Sequence, residues 1–178
     1  LRGAYRVAVD CEFASEDQSL QGAREVALIP PVSGGRGPWV RLDHQEISSD
    51  ELLQAVRRPD CGAVVLFLGT VRDSFLDQPV QHIDYSAYEA MALRQLQTLA
   101  EEAELHLNPG GVALWHRLGI VPAGQASVGI AVASKHRKQA FEMCERLIDR
   151  LKAEVSLWKR EVGPSGAVWI EGDCRVPS

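Results

Sequence analysis

Apolar residues change their spacing several times along this chain, and each change marks an element. Tyr5, Val7 and Val9 alternate with polar or small neighbours, the period of a half-buried strand. Gln21-Gly22 signals a turn, and Val26-Ala27-Leu28-Ile29 reads as a short strand stopped by Pro30-Pro31. Ser33-Gly34-Gly35-Arg36-Gly37-Pro38 then excludes helix. From Trp39 the pattern becomes α/β. Trp39 to Leu42 predicts a strand, and Ser48 or Ser49 caps a short helix through about Arg57, with Pro59 as its stop. The continuous apolar run Ala63 to Leu68 predicts a buried strand ending at Gly69.

The polar stretch from Arg72 to Gln81, with Pro79, reads as a loop, and Ile83 to Tyr88 as a strand. Glu89 to His106 predicts a helix with Leu93, Leu96, Leu99/Ala100 and Ala103 on one face, ended by Asn108-Pro109-Gly110-Gly111. Val112 to Leu118 and Ser127 to Ala133 predict strands joined through Pro122 and Gly124. Ser134 is placed to cap a second long helix, about Lys135 to Ala153. Its apolar stripe is Ala140, Phe141, Cys144, Leu147/Ile148 and Leu151. Val155 to Val162 and Ala167 to Ile170 close the chain as strands around Gly163-Pro164. Residues 1–35 are too few to hold a core alone, so this piece is expected to dock or to belong to a larger domain. The chain begins at Leu1 without a methionine, and its natural start is expected upstream.

Composition narrows the function class. Hydrophobic content of 46% and charged content of 24% fit a soluble globular protein. A net charge of -5 argues against a general nucleic-acid binder. Cys11, Cys61, Cys144 and Cys174 lie far apart with no Cys-x-x-Cys pair, so neither a zinc site nor a disulfide framework is visible, and a reducing cytoplasm fits. No apolar run approaches the roughly 18 residues of a membrane span. The charge is uneven: residues 135–160 hold eight basic and four acidic residues, a local +4 against -9 elsewhere. Such a basic island suits a small anion or an acidic partner.

All four lysines fall between Lys135 and Lys159, while the other fifteen basic residues are arginines. Lysine can give up its proton in a suitable site and arginine cannot, so this segment is where chemistry is sought. At the start of the second long helix stand Lys135, His136, Arg137 and Lys138, where Asp or Glu would be usual. Each cation there costs about 0.3–1 kcal/mol unless an anion binds the helix end or a local carboxylate compensates. Lys152 sits beside core residue Leu151 at the other end, and Lys159 lies between Trp158 and Arg160. Crowded, partly buried cations would make a lysine a general acid, base or nucleophile; alternatively these two pair with Glu154 and Glu161. Gly69-Thr70-Val71-Arg72 ends a strand and opens a loop, where Arg72 can clamp an anion. Cys144 falls in the helix stripe and reads as core, and His44, His82, His106 and His116 are scattered. No Ser-His-Asp arrangement, phosphate-binding glycine loop or metal cluster is visible, and no cofactor is called for.

These motifs keep one order and spacing. Gly62-Ala63-Val64-Val65 through Phe67, Gly69-Thr70-Val71-Arg72, Trp115-His116-Arg117-Leu118-Gly119, Ser134-Lys135-His136-Arg137, Leu151-Lys152 and Trp158-Lys159-Arg160-Glu161, with Trp169 and Glu171, resemble the catalytic (large) subunit of molybdopterin synthase. Glu25 through Gly35 resembles the end of the ubiquitin-like sulfur-carrier (small) subunit of the same enzyme. The resemblance implies three parts: residues 1–35 as the C-terminal part of a β-grasp carrier, 36–38 as linker, and 39–178 as the catalytic domain. It implies an α/β (α+β) hammerhead-like fold with an added antiparallel β subdomain.

It further implies a sulfurtransferase, a homodimer that makes the dithiolene of molybdopterin from cyclic pyranopterin monophosphate (precursor Z). The sulfur would come from a thiocarboxylated carrier. Carried over by motif, Lys152 and Lys159 are catalytic, and His136 and Arg137 hold the substrate's pterin and phosphate end. Phe67, Thr70, Val71 and Arg72 stand at the site mouth, and Arg160 and Glu161 flank Lys159. Gly34-Gly35 is the carrier terminus, and Arg175 is left open as a further contact. One departure matters: Gly35 is followed by Arg36, so its carboxyl is not free. Either the chain is cut after Gly35, or the carrier piece is vestigial and separate carriers supply the sulfur. Two other readings are a non-catalytic scaffold for carrier tails or pterin, and a module that binds acidic proteins through the basic island.

Overall fold

The computed structural model describes residues 6–9, 12–13, 26–29, 37–75, 78–107, 110–164, 166–171 and 174–175. The chain divides into two compact units, 1–36 and 37–178. The first holds β1 (Arg6–Val9), β2 (Glu12–Phe13) and β3 (Val26–Ile29) in one antiparallel sheet of order β2-β1-β3. The predicted strands around Val7 and at Val26 are present; Gly34 and Gly35 lie outside the described residues.

The second unit runs β4 (Trp39–Asp43), α1 (Ser49–Val56), β5 (Ala63–Thr70), β6 (Ser74–Phe75), β7 (Gln78–Pro79), β8 (His82–Ala87) and α2 (Glu89–Leu107). It continues with β9 (Gly110–Arg117), β10 (Gly119–Pro122), β11 (Ala126–Ser134), α3 (Arg137–Glu154), β12 (Leu157–Gly163), β13 (Gly166–Glu171) and β14 (Cys174–Arg175). One sheet has the order β4-β9-β11-β5, with β4 parallel to β9 and the rest antiparallel. The other is antiparallel, β10-β8-β12-β13-β14. This is a mixed α+β fold. Among the described residues no helix is long and apolar enough to cross a membrane.

The core follows from the strand period. On β9 and β11, Val112, Leu114, Ile130 and Val132 face α2 and α3 and bury with Leu96, Leu99 and Leu147. The alternate residues Ala113, Trp115, Ala131 and Ala133 face α1 and bury with Leu52 and Val56. Each fully buried aliphatic side chain contributes about 1.5–3 kcal/mol, so these two layers carry most of the drive to fold. Ser48 caps α1, its hydroxyl accepting from the Glu51 N–H at 3.3 Å.

Several expectations are revised. The run from Ala63 to Leu68 is an edge strand, not a buried one, and Val64 and Leu68 are exposed, because α1 covers only part of that face. The predicted loop after Arg72 contains the small hairpin β6–β7. On α2, Ala92 is buried where Leu93 is only partly so. Phe141 is 63% exposed, because Ala140 and Cys144 already occupy the core-facing row of α3. Helix α3 starts at Arg137 with His136 as N-cap; Ser134 ends β11, and its hydroxyl donates to Gln139 Oε1 at 3.1 Å.

Gly129 lies on the α1 face of β11, where a Cβ would sit 2.4 Å from Leu52 Cδ1 and 3.1 Å from Ile47 Cγ2. Gly129→Ala should therefore lower stability by about 1–3 kcal/mol through overpacking. A fall in the urea midpoint at unchanged slope would register it.

Candidate active site

A cleft of about 640 Å³ opens between the end of β5, the inner face of the β8–β12–β13 sheet and the last turn of α3. That size suits a small organic ligand. Phe67, Ile83, Leu151, Leu157 and Ile170 give it apolar walls, and Arg72, Lys152 and Lys159 bring three cations to it.

Each cation has a local cause. Lys152 stands in the last turn of α3, where the helix dipole favours a positive charge, one residue past buried Leu151. Lys159 is the cross-strand partner of Tyr85 on β8 and Ile170 on β13. Strand alternation puts Lys159 and Glu161 on the cleft side of β12. Arg72 follows β5 on a segment pinned by Val71 N–H to Gln125 O (3.0 Å) and Gly124 N–H to Val71 O (2.8 Å). Its guanidinium lies 5.2 Å from the centre of the Phe75 ring.

Of the residues singled out in the sequence, the cleft gathers Phe67, Thr70, Val71, Arg72, Lys152, Lys159 and Glu161. Three others lie elsewhere. Arg160 is not on the cleft wall; it donates to Asp84 Oδ2 at 2.9 Å and sits 5.7 Å from the Trp169 ring centre. His136 and Arg137 are exposed at the start of α3, fifteen residues and roughly 22 Å of helix from Lys152. That first turn holds no acidic residue and His136 makes no side-chain cap, but Glu142, one turn on, lies 3.7 Å from Lys138 and offsets that one cation. Glu154, a possible partner of Lys152, is instead bound by Arg150 at 2.7 Å. Arg175 is the backbone partner of Ile170 in the β13–β14 pairing.

The cleft also holds Tyr85, His116 and Ser127, to none of which the sequence had assigned a role. Burial raises the Tyr85 hydroxyl above the usual tyrosine range; a hydrogen bond with Ser127 opposes the shift and the nearby Glu161 adds to it. Burial pushes the His116 imidazole down to about 4, against the opposing pull of the Arg117 carbonyl. His116 continues the inward row Val112, Leu114 on β9, and a polar residue on a core-facing row was the signal that could have found it.

A hammerhead-like α+β unit with a cationic cleft between two sheets thus defines the class. A family model described as "MoaE protein" matches residues 42–154, and one described as "ThiS family" matches residues 1–35. A "Molybdopterin synthase catalytic subunit" from Neurospora crassa is 40% identical over 135 residues, 75% of this chain and 66% of that protein. The same subunit from Pyrococcus abyssi is 36% identical over 133 residues and is covered over 90% of its length. The crystal structure of molybdopterin synthase from Staphylococcus aureus superposes with a TM-score of 0.70 at 29% identity, covering 72% of this chain and 94% of that one. The chain belongs to the MoaE family, with a ThiS-like segment ahead of the MoaE domain, and its role lies in molybdopterin biosynthesis.

His116 supplies a pH prediction. In the folded protein it stays neutral down to about pH 4, whereas the unfolded chain takes up the proton near 6.5. Between those values the unfolded state binds more protons, so stability falls as the pH drops. The contribution is at most about 3 kcal/mol. In urea titrations across this range, His116→Phe should lose stability less steeply on acidification than the parent; parallel curves would contradict the buried neutral ring.

Proposed function

We propose that this chain is a sulfurtransferase that converts cyclic pyranopterin monophosphate to molybdopterin, taking two sulfurs from a thiocarboxylated carrier. The observation that carries the reading is the meeting of Lys152 from α3 and Lys159 from β12 in one cleft with Arg72 and Glu161. The cations would hold anionic substrate and carrier carboxylate, and the lysines would move protons as sulfur adds and the carboxylate leaves. Phe67, Thr70 and Val71 would shape the mouth. A scaffold that only binds would have no use for lysine rather than arginine at 152 and 159.

His136 and Arg137 remain part of the proposal as holders of the pterin and phosphate end. Their distance along α3 from Lys152 favours a homodimer in which a second copy brings this pair to the cleft. The carrier is either the chain's own N-terminal piece, released by cleavage after Gly35, or a separate protein.

Given precursor Z and thiocarboxylated carrier, Lys152→Ala should abolish molybdopterin formation with the circular dichroism spectrum unchanged. Lys152→Arg should fail as well, since arginine keeps the charge and gives up proton transfer. Full activity in Lys152→Arg would remove proton transfer from that residue. Intact-mass analysis of protein from its native cells should show a break after Gly35; an uncut chain active without added carrier would refute the cleavage.

A further inference from the structure

One polar side chain in the cleft has no part in the scheme above. His116 is 4% exposed and lines the cleft floor. Two contacts fix its ring. Nδ1 lies 3.0 Å from the Arg117 carbonyl oxygen. A carbonyl oxygen only accepts, so Nδ1 carries the proton and Nε2 keeps a lone pair. The Tyr85 ring packs edge-on against the imidazole, with centroids 5.2 Å apart and planes at 74°. Among the described residues no group donates to Nε2, and His116 is one of the residues that line the cleft.

We propose that His116 Nε2 accepts a hydrogen bond from an N–H of the heterocycle bound in the cleft and thereby sets which way round the substrate lies. A lone-pair acceptor in an apolar surround repels phosphate and carboxylate oxygens and selects donors, because a mismatched ligand leaves both partners unsatisfied. The cations Arg72, Lys152 and Lys159 select the opposite chemistry. Tyr85 is the spacer between the two: its ring backs His116, and its strand neighbour is Lys159. A substrate with an N–H-bearing fused ring is turned so that this edge meets His116, while its anionic groups are left to the cations, Arg137 from a second copy among them. His116 is then a recognition residue rather than a proton carrier, since its low basicity keeps it neutral through the working range.

The identity of the donor as a pterin rests on the synthase reading, and the test separates the two. His116→Phe keeps an aromatic ring against Tyr85 and removes the acceptor; His116→Gln gives up the ring and places an amide oxygen near the position of Nε2. With cyclic pyranopterin monophosphate varied, His116→Phe should raise KM about tenfold with a smaller change in kcat, and His116→Gln should recover most of the loss. A purely structural imidazole would rank the two variants the other way. In parallel, imidazole 15N NMR of the parent should show Nδ1 protonated, and adding the pterin should move the Nε2 resonance toward its hydrogen-bonded value. Product formation with no Nε2 shift, or an unchanged KM in His116→Phe, overturns the acceptor role and leaves the synthase reading standing. An Nε2 shift without product overturns the synthase reading and supports the acceptor.

Discussion

The turn between α3 and β12 is the constraint on which the cleft depends. Helix α3 is bound to the first sheet through Ala140, Cys144, Leu147 and Leu151, while β12 pairs with β8 in the second. The chain must cross from one sheet to the other between Leu151 and Leu157. Val155 closes the helix, its N–H donating to Leu151 O at 3.1 Å, and Ser156 is held at two points by one side chain of α2. The Ser156 N–H donates to Gln95 Oε1 at 3.0 Å, and Gln95 Nε2 donates to Ser156 Oγ at 3.4 Å. A paired amide at a half-buried crossing fixes direction better than apolar contact, which has no directional preference. Because Lys152 and Lys159 flank this crossing, its geometry decides whether the two ammonium groups face the same space.

The cleft combines opposed demands. Apolar walls strengthen every charge interaction inside it, and they make each unpaired polar group expensive. Three of its side chains are cations and one, Glu161, is a carboxylate with little exposure. A buried neutral imidazole adds recognition without adding charge. Had His116 kept its ordinary basicity, the site would gain a fourth positive charge on mild acidification; burial prevents that down to about pH 4. The fold thus separates charge that attracts from polarity that orients.

The strands and helices with a clear period were readable in the sequence, because burial on one face leaves its mark at two- or three-to-four-residue spacing. Ser48 as a cap and Cys144 as core are of this kind. The motif around Lys152 and Lys159 was readable too, since lysine in an arginine-rich chain stands out. What lay out of reach is pairwise and three-dimensional. The run Ala63–Leu68 looks buried, but its place at a sheet edge depends on which strands pair, which no local pattern encodes. Phe141 and Cys144 both fit a loose stripe, and only the packing angle of α3 decides that Phe141 faces out. His116 and Tyr85 come from strands of different sheets, so their contact has no linear signature.

Joining a ThiS-like segment to a MoaE domain has a chemical consequence at Gly35. In the chain as written, the Gly35 carbonyl is an amide to Arg36, and an amide cannot be activated and exchanged for sulfur as a free terminal carboxyl can. Under the synthase reading each product needs two sulfurs and each carrier delivers one, so a carrier would have to leave its catalytic partner to be recharged. A permanently tethered tail would hold a high local concentration near one cleft but would block the next charged tail from entering. Under the synthase reading, cleavage would turn a tethered pair into two proteins made in equal amounts, keeping the stoichiometric benefit of the fusion while restoring exchange. The Gly-Gly-Arg-Gly-Pro stretch suits that role chemically, because glycine lets the backbone extend into a protease and proline past the cut blocks helix formation.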